Sequence, residues 1–397
     1  MTSVADTRTA SAVTVRSIEL LALRAPLSFH RTLSKGATSS AKDTDWVGNP
    51  VFIRVESSGG AVGVSQVRPP TPWLGETTAS IMSCIQHYYG PALIGADVSE
   101  REAVVQRLDR ILPGNAVALA ALDIAIHDLL GRTWGLPIYR LLGGTHTTVP
   151  MDWSVSLNPR AQIVEESVRA VRDHGVRSLC LKIGPSERWR EDVDVFCAVR
   201  EAVGDDVEIA VDPNEGYDLA TMLRFLRALG DESVAYLEQP LPRHNLDDLA
   251  ALRTQAGAPV FIDETAIGLP EAYRAMRHSA CDGIVLKLWK TGGYSNTKKM
   301  AALAEAAGVR TTLGGVAHGS VIEAAACAHL YAAFGTPPLA AQFVLGMNVI
   351  DVDPIVPLPQ DFWVRDGVAS VPEGPGLGVE PDMAAARDIA LARVVVE

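Results

Sequence analysis

The chain has 397 residues, of which 48% are apolar and 21% charged, with a formal net charge of −12. This is ample material for a large folded core, and the acidic balance disfavours nucleic acid or an anionic membrane surface as a partner. Five scattered cysteines, Cys84, Cys180, Cys197, Cys281 and Cys327, include no Cys-x-x-Cys pair; neither a disulfide framework nor a cysteine zinc site is indicated, and a reducing cytoplasm fits.

Residues 1–14 are rich in Thr, Ser and Ala, lack the apolar run of a secretory signal and read as a flexible tail. No window reaches the roughly 18 uninterrupted apolar residues of a membrane span. Residues 15–148 read as an α+β lobe. Strands are expected at Val15–Arg24, at Phe52–Ser57 and, after the turn Ser58-Gly59-Gly60, at Ala61–Val67. Helical periodicity follows over Thr77–Tyr89, Glu100–Leu112 and the Ala-rich stretch Ala116–Leu130, which Gly131 is expected to end.

From Val149 the rhythm changes. Short β-branched runs at Val149–Val155, Ser178–Ile183, Val207–Asp212, Val234–Glu238, Pro259–Asp263, Gly283–Leu288, Val309–Leu313 and Leu339–Leu345 alternate with helical stretches. Among the latter are Arg160–His174, Glu187–Val203, Leu246–Gln255 and Ser295–Ala307. Eight strands alternating with helices predict a parallel sheet closed into a barrel over residues 149–362. An open doubly wound sheet is the structural alternative, and the G-x-G-x-x-G that would support it is missing after an early strand. Residues 363–397 carry Pro372, Pro375 and Pro381 with Gly374, Gly376 and Gly378. That segment cannot be a regular barrel helix and is expected to return to the first lobe.

Successive strand candidates end in an acid: Ala-Val-Asp212, Tyr-Leu-Glu238 and Phe-Ile-Asp263. The spacings are 26 (238 − 212) and 25 (263 − 238), each about one βα unit. A single acid at a strand end most simply caps the next helix. Three in register place their carboxylates side by side on the catalytic face, a hard oxygen donor set that suits Mg²⁺, with Mn²⁺ as the alternative ion. Asn214 and Glu264 lie directly beyond the ladder, where they can support its ligands.

Two lysines flank the ladder. Lys182 ends the apolar run Leu-Cys-Leu-Lys one strand before Asp212, and Lys287 lies in Ile-Val-Leu-Lys-Leu one strand after Asp263. A lysine inside an apolar strand is costly unless it is paired or functional. Desolvation or cationic neighbours would lower its pKa toward that of a useful base. A carboxylate substrate losing its α-proton becomes an enolate-like dianion, which a divalent cation stabilises.

These residues resemble the enolase superfamily, specifically its muconate-lactonizing-enzyme branch within the mandelate racemase/muconate lactonizing enzyme family. The resemblance spans nearly the whole chain. It includes Ala120–Ala125, His127-Asp128-Leu129, Gly135-Leu136-Pro137 and Leu141-Leu142-Gly143-Gly144 in the first lobe. It continues through Val211-Asp212-Pro213-Asn214, Leu237-Glu238-Gln239-Pro240, Ile262-Asp263-Glu264, Lys287 with Gly292-Gly293, and Gly374–Gly378. It implies an α+β capping domain over a modified (β/α)7β TIM barrel, a bound Mg²⁺, and a homo-oligomer.

Two departures stand out. The family usually carries Lys-x-Lys on the second barrel strand, and here that motif is Cys180-Leu181-Lys182. The retained Lys182 is the one expected to face substrate, whereas Cys180 is most simply a buried filler beside it and also a candidate substrate contact. Ala317-His318-Gly319 stands where this branch often has a glutamate after the seventh strand, so His318 either contacts substrate or is structural. His127 and His329, on helices, read as packing or surface groups. Specificity is expected from the cap loop Phe29–Val47, which carries His30, Arg31, Lys35, Lys42 and Trp46, with Gly36 as a hinge. Its basic character suits an anionic or polar distal group on the substrate.

The resulting expectation is a cytoplasmic isomerase performing 1,1-proton transfer on a small-molecule carboxylate, of the N-substituted amino acid or dipeptide class that the resemblance implies. Syn cycloisomerisation of a muconate-like diacid, or β-elimination of water from a hydroxy acid, would use the same enolate. A non-catalytic binding protein on a decayed barrel is the remaining reading.

Overall fold

The computed structural model describes residues 12–24, 30–34, 36–39, 49–69, 74–315, 320–336, 338–342, 353–356 and 364–397. Lys35, Lys42, Trp46 and His318 lie outside them, and for 30–33 and 36–39 only the backbone is described.

The first lobe opens with β1 (Val15–Leu23), the hairpin β2 (His30–Leu33) and β3 (Gly36–Ser39), then β4 (Val51–Ser57) and β5 (Val62–Val67). β1 pairs antiparallel with β4, and β4 with β5. Side chains alternate across this sheet, as a period of two requires. Leu20, Ala22, Ile53 and Val55 face the lobe's own core. Leu21, Leu23, Phe52 and Val64 join the core that continues into the barrel. The sheet is thus apolar on both faces and serves as the wall between the two cores.

Helices follow at Thr78–Cys84, continued by a π-turn at Ile85–Tyr89, and at Arg101–Ile111 and Ala116–Trp134. Thr77 and Ser80 form a capping box at the first of these. The Ala-rich helix is buried continuously from Val117 to Gly131. It does not stop at Gly131, as expected from sequence, but runs to Trp134 and ends where Gly135 adopts φ 69°. Gly131 has a different role, because a Cβ there would sit 2.6 Å from Gly376 Cα. The missing side chain lets the returning C-terminal segment press against the helix backbone.

The barrel comprises β7 (Asp152–Val155), β8 (Ser178–Lys182), β9 (Glu208–Asp212), β10 (Leu237–Glu238), β11 (Val260–Ile262), β12 (Gly283–Leu286), β13 (Arg310–Gly314) and β14 (Ala341–Gln342). These eight strands lie in sequence order and pair in parallel. A parallel bridge between Met151 and Ala341 brings the last strand back to the first. Short helical connections put each strand's C-terminal end at one mouth.

The run Val149–Val155, expected as one strand, is divided. Its start, β6 (Thr148–Pro150), pairs antiparallel with β15 (Val368–Ser370), and only from Asp152 does it enter the barrel. Pro150 has no N–H to give to a ladder and falls at the break. The last strand in the sequence, β16 (Ala390–Val396), pairs antiparallel with β1 at the edge of the first-lobe sheet. Among the described residues, no helix is long and apolar enough to cross a membrane.

Candidate active site

Asp212 is the last residue of β9, Glu238 the last of β10, and Asp263 follows β11 directly. These strands are neighbours, so the three carboxylates meet at the barrel mouth, all buried. Lys182 ends β8 and stands in register with Asp212. Its ammonium contacts Asp212 Oδ2. Lys287 directly follows β12, and its ammonium contacts Asp263 Oδ2.

Two further residues hold the ladder that the sequence had not singled out. Lys290 Nζ donates to Asp263 Oδ1 at 2.6 Å and to the Asp263 carbonyl at 2.8 Å. The apolar run Gly283–Leu288 was expected as a single strand, but a short helix begins at Leu288. That turn swings Lys290 back toward the ladder. Gln342, at the end of β14, donates from Nε2 to Glu238 Oε2 and to the Tyr236 hydroxyl, both at 2.9 Å, and to Asp152 Oδ2 at 3.2 Å. The sequence signals were faint: a second lysine three residues after Lys287, and a polar residue in the last strand candidate.

Around the strand ends the backbone bends sharply, with φ of 45° at Asn214, 67° at Glu215 and 33° at Gln239. Such non-glycine positive-φ residues persist only where surroundings over-determine them. Asn214 Nδ2 donates to Asp212 Oδ2 at 3.0 Å and to Glu264 Oε1 at 3.1 Å. Gln239 Oε1 accepts from the Asp263 and Thr265 amides, each at 2.9 Å. Glu215 pairs with the Arg243 guanidinium at 2.8 Å.

The electrostatics follow from crowding. Burial first, then the Asp212 charge, pushes Glu238 up to about 8. Burial, then Asp263 and Asp212, pushes Glu264 up to about 7. Burial alone would raise Asp263 as well, but Lys287 and Lys290 carry it well below the usual carboxylate range. Lys290 is lowered, chiefly by desolvation. Lys287 runs opposite to the sequence expectation. Desolvation pulls its ammonium down, yet Asp263, Glu238 and Glu264 together outweigh it and raise Lys287 above its ordinary value. Cys180 Sγ lies 3.7 Å from Glu238 Oε2, and burial keeps this thiol far above its ordinary value.

This arrangement fits a cation. Glu238 Oε1, Glu264 Oε2 and Asn214 Oδ1 are buried without a hydrogen-bond partner. Unpaired buried acceptors are costly and point to a ligand that satisfies them. Among the described His, Cys, Asp and Glu residues, the donors converging to within 4.8 Å of one another are those of Cys180, Asp212 and Glu238. Asp263 stands outside that trio, its oxygens turned to Lys287 and Lys290. Of the expected substrate contacts, His30 pairs by its backbone with Ser39 in the β2–β3 hairpin. Its side chain, like His318 and Trp46, lies outside the described residues. His127 and His329 are buried helix residues that pack, with His329 accepting from the Tyr139 amide at 3.3 Å.

Comparison with known proteins gives concordant matches. Residues 162–385 match the family model "Enolase C-terminal domain-like". Residues 36–143 match "Mandelate racemase / muconate lactonizing enzyme, N-terminal domain". A chloromuconate cycloisomerase of Pseudomonas sp. (strain P51) is 33% identical over 84% of this chain and 89% of its own length. An L-Ala-D/L-Glu epimerase of Clostridium acetobutylicum is 34% identical over 72% of this chain and 79% of its own. The crystal structure of N-succinyl Arg/Lys racemase from Bacillus cereus superposes with a TM-score of 0.88 at 27% identity, covering 97% of this chain and all of that one.

Proposed function

The chain belongs to the enolase superfamily, in its mandelate racemase/muconate lactonizing enzyme branch, and from that premise we propose that it is a Mg²⁺-dependent racemase or epimerase of N-substituted amino acids or dipeptides. At the coarser level it is an isomerase, as its named relatives are. The observation that carries the finer reading is the opposition of Lys182 and Lys287. They project from β8 and from just beyond β12, four places apart in a ring of eight strands, and so face each other across the mouth. A single base needs no counterpart, whereas inversion at carbon needs a proton removed from one face and another delivered to the opposite face.

In the proposed reaction the lysine on one side, as a neutral amine, takes the α-proton. The C–H bonding pair moves into the carbon–carbon bond of an enolate-like dianion, and the carboxylate oxygens gain charge. The opposing lysine, as an ammonium, then gives a proton to the other face, and the two lysines exchange protonation states. Asp212, Glu238 and Asp263 would hold Mg²⁺, which supplies Lewis-acid stabilisation of charge on the substrate carboxylate when bound. Asn214 orients Asp212, Gln342 orients Glu238, and Lys290 orients Asp263.

Proton NMR in D₂O with Mg²⁺, over a panel of N-acyl amino acids, dipeptides, betaines and muconates, tests the proposal. Metal-dependent loss of an α-proton signal with an unchanged carbon skeleton, abolished by EDTA, is the expected result. The cycloisomerase relatives favour one second reading, syn lactonisation of a muconate-type diacid. New lactone signals without α-exchange would establish that reading in place of the first, and new alkene signals would indicate a dehydratase.

A further inference from the structure

We propose that Cys180 makes this cluster thiophilic, so that a soft or borderline divalent cation (Zn²⁺ or Cd²⁺) is held by Cys180 Sγ, Asp212 and Glu238. This inference rests on the reading that the acid ladder holds a divalent cation, and it is independent of which reaction follows. The thiophilic set differs from the all-oxygen set proposed for Mg²⁺ by exchanging Asp263 for a sulfur.

The placement begins with strand alternation. Cys180 and Lys182 are two residues apart on β8 and share its inward face. The residue opposite Cys180 in register on β9 is Ala210, whose small side chain leaves the thiol room to approach Asp212 and Glu238. Tetrahedral zinc with bonds of about 2.3 Å to sulfur and 2.0–2.2 Å to carboxylate oxygen sets its donors about 3.6 Å apart. Cys180 Sγ and Glu238 Oε2 already stand at 3.7 Å, and the trio, within 4.8 Å of one another, closes on an ion by side-chain shifts of about 1 Å or less. An independent observation is Glu238 Oε1, buried and without a hydrogen-bond partner on the carboxylate whose other oxygen faces the thiol.

Donor chemistry then separates the ions. Mg²⁺ dehydrates reluctantly and prefers oxygen, so the thiol contributes nothing to its binding. Thiolate sulfur selects Zn²⁺ and its softer congener. As the sulfur–metal bond forms, the thiol proton passes to solvent and no electron is transferred. Asp263 remains with Lys287 and Lys290, and three protein donors leave a coordination position open. Because both sets use Asp212 and Glu238, the two kinds of cation exclude each other.

The test uses the full chain carrying Cys197→Ser, which removes the exposed thiol. Metal-free protein is titrated with Cd²⁺ while the ultraviolet sulfur-to-metal charge-transfer absorption is followed. Binding is measured in parallel by calorimetry, with Cys180→Ala and Cys180→Ser alongside. Cys180→Ser retains volume and polarity should the alanine variant fold poorly. The expected result is a band that saturates at one equivalent and is suppressed by Mg²⁺. Both Cys180 variants should lose it and bind Cd²⁺ on the order of 10- to 100-fold more weakly, a larger loss than either shows for Mg²⁺. The proposal is overturned if the band is missing at saturating Cd²⁺, persists in both variants, or is indifferent to Mg²⁺. An intact, Mg²⁺-suppressible band in a protein without α-proton exchange would count against the racemase reading and for this one.

Discussion

Gly314 ends β13 against the stem of Lys287, and replacing it with alanine tests the two-lysine arrangement without touching either lysine. A Cβ at this position would lie 2.3 Å from Lys287 Cε, 3.1 Å from Lys287 Cγ and 2.9 Å from Val285 Cγ1. Ordinary contact begins at 3.4 Å, so Cε must retreat by about 1 Å (3.4 − 2.3). The obstructing atom is the far end of a flexible side chain, while Val285 must also give slightly. The stability cost therefore belongs in the lower part of the roughly 1–3 kcal/mol typical of overpacking. A catalytic group displaced by about 1 Å costs on the order of 10²-fold in rate. Racemisation followed by NMR in D₂O, separately from each stereoisomer, should show kcat down by about that factor with little change in KM. Exchange of the α-proton that faces Lys182 should survive, giving deuterium incorporation without inversion from one stereoisomer only. A Gly314→Ala enzyme that folds normally and racemises within about threefold of the parent would refute the assignment of Lys287.

Lys182→Met should abolish exchange from the complementary stereoisomer, with a loss of about 10²–10⁴-fold in the corresponding half-reaction. In EDTA, loss of the ammonium beside buried Asp212 should also destabilise the protein, by about 3 kcal/mol in denaturant unfolding. Mg²⁺ at about 100 times its Kd should add about 2.7 kcal/mol to native stability. The melting temperature should therefore exceed that in EDTA, and Asp212→Asn should erase the difference; equal melting of the parent in both media would remove the metal from the account. His329 is buried neutral, with burial pushing it from 6.5 down to about 4. The unfolded chain binds that proton first as pH falls, so stability should be full above pH 6.5 and drop through the window down to about 4. The loss should total about 3 kcal/mol, and His329→Gln should flatten this part of the pH profile in equilibrium unfolding.

The barrel and its acid ladder were legible because both depend on short-range periodicity. Apolar runs recur at βα spacing, and the acids stand at their ends, so Asp212, Glu238 and Asp263 could be placed together from one sequence. Lys182 and Lys287 followed from the cost of an ammonium in an apolar strand. What could not be read depends on where the chain turns after a strand. Lys290 reaches Asp263 because the backbone leaves β12 in a helical turn, and Gln342 meets Glu238 because its side chain reaches across the barrel from β14 toward β10, a contact that strand periodicity does not specify. Gly131 resembled a helix stop because glycine is a weak helix former, but its packing against Gly376 is a contact with a segment far away in sequence. The upward shift at Lys287 was not legible for a related reason. Desolvation is suggested by an apolar run, whereas the compensating field of three carboxylates exists only once the strands are assembled.

The pairing of β16 with β1 sets the order in which the molecule can be built. Glu19 on β1 is buried and meets Arg387 and Arg393, 368 and 374 residues later. At about 5–20 residues per second of synthesis, β1 waits roughly 20 to 70 s for that partner. All eight barrel strands emerge in the interval, so the barrel can close while β1 is still an edge strand of the sheet that precedes it. An unpaired edge invites pairing with another chain. Until the strand Ala390–Val396 leaves the ribosome, β1 is itself an edge of the nascent first lobe; once paired, β16 takes that edge and β1, with its buried Glu19, becomes interior.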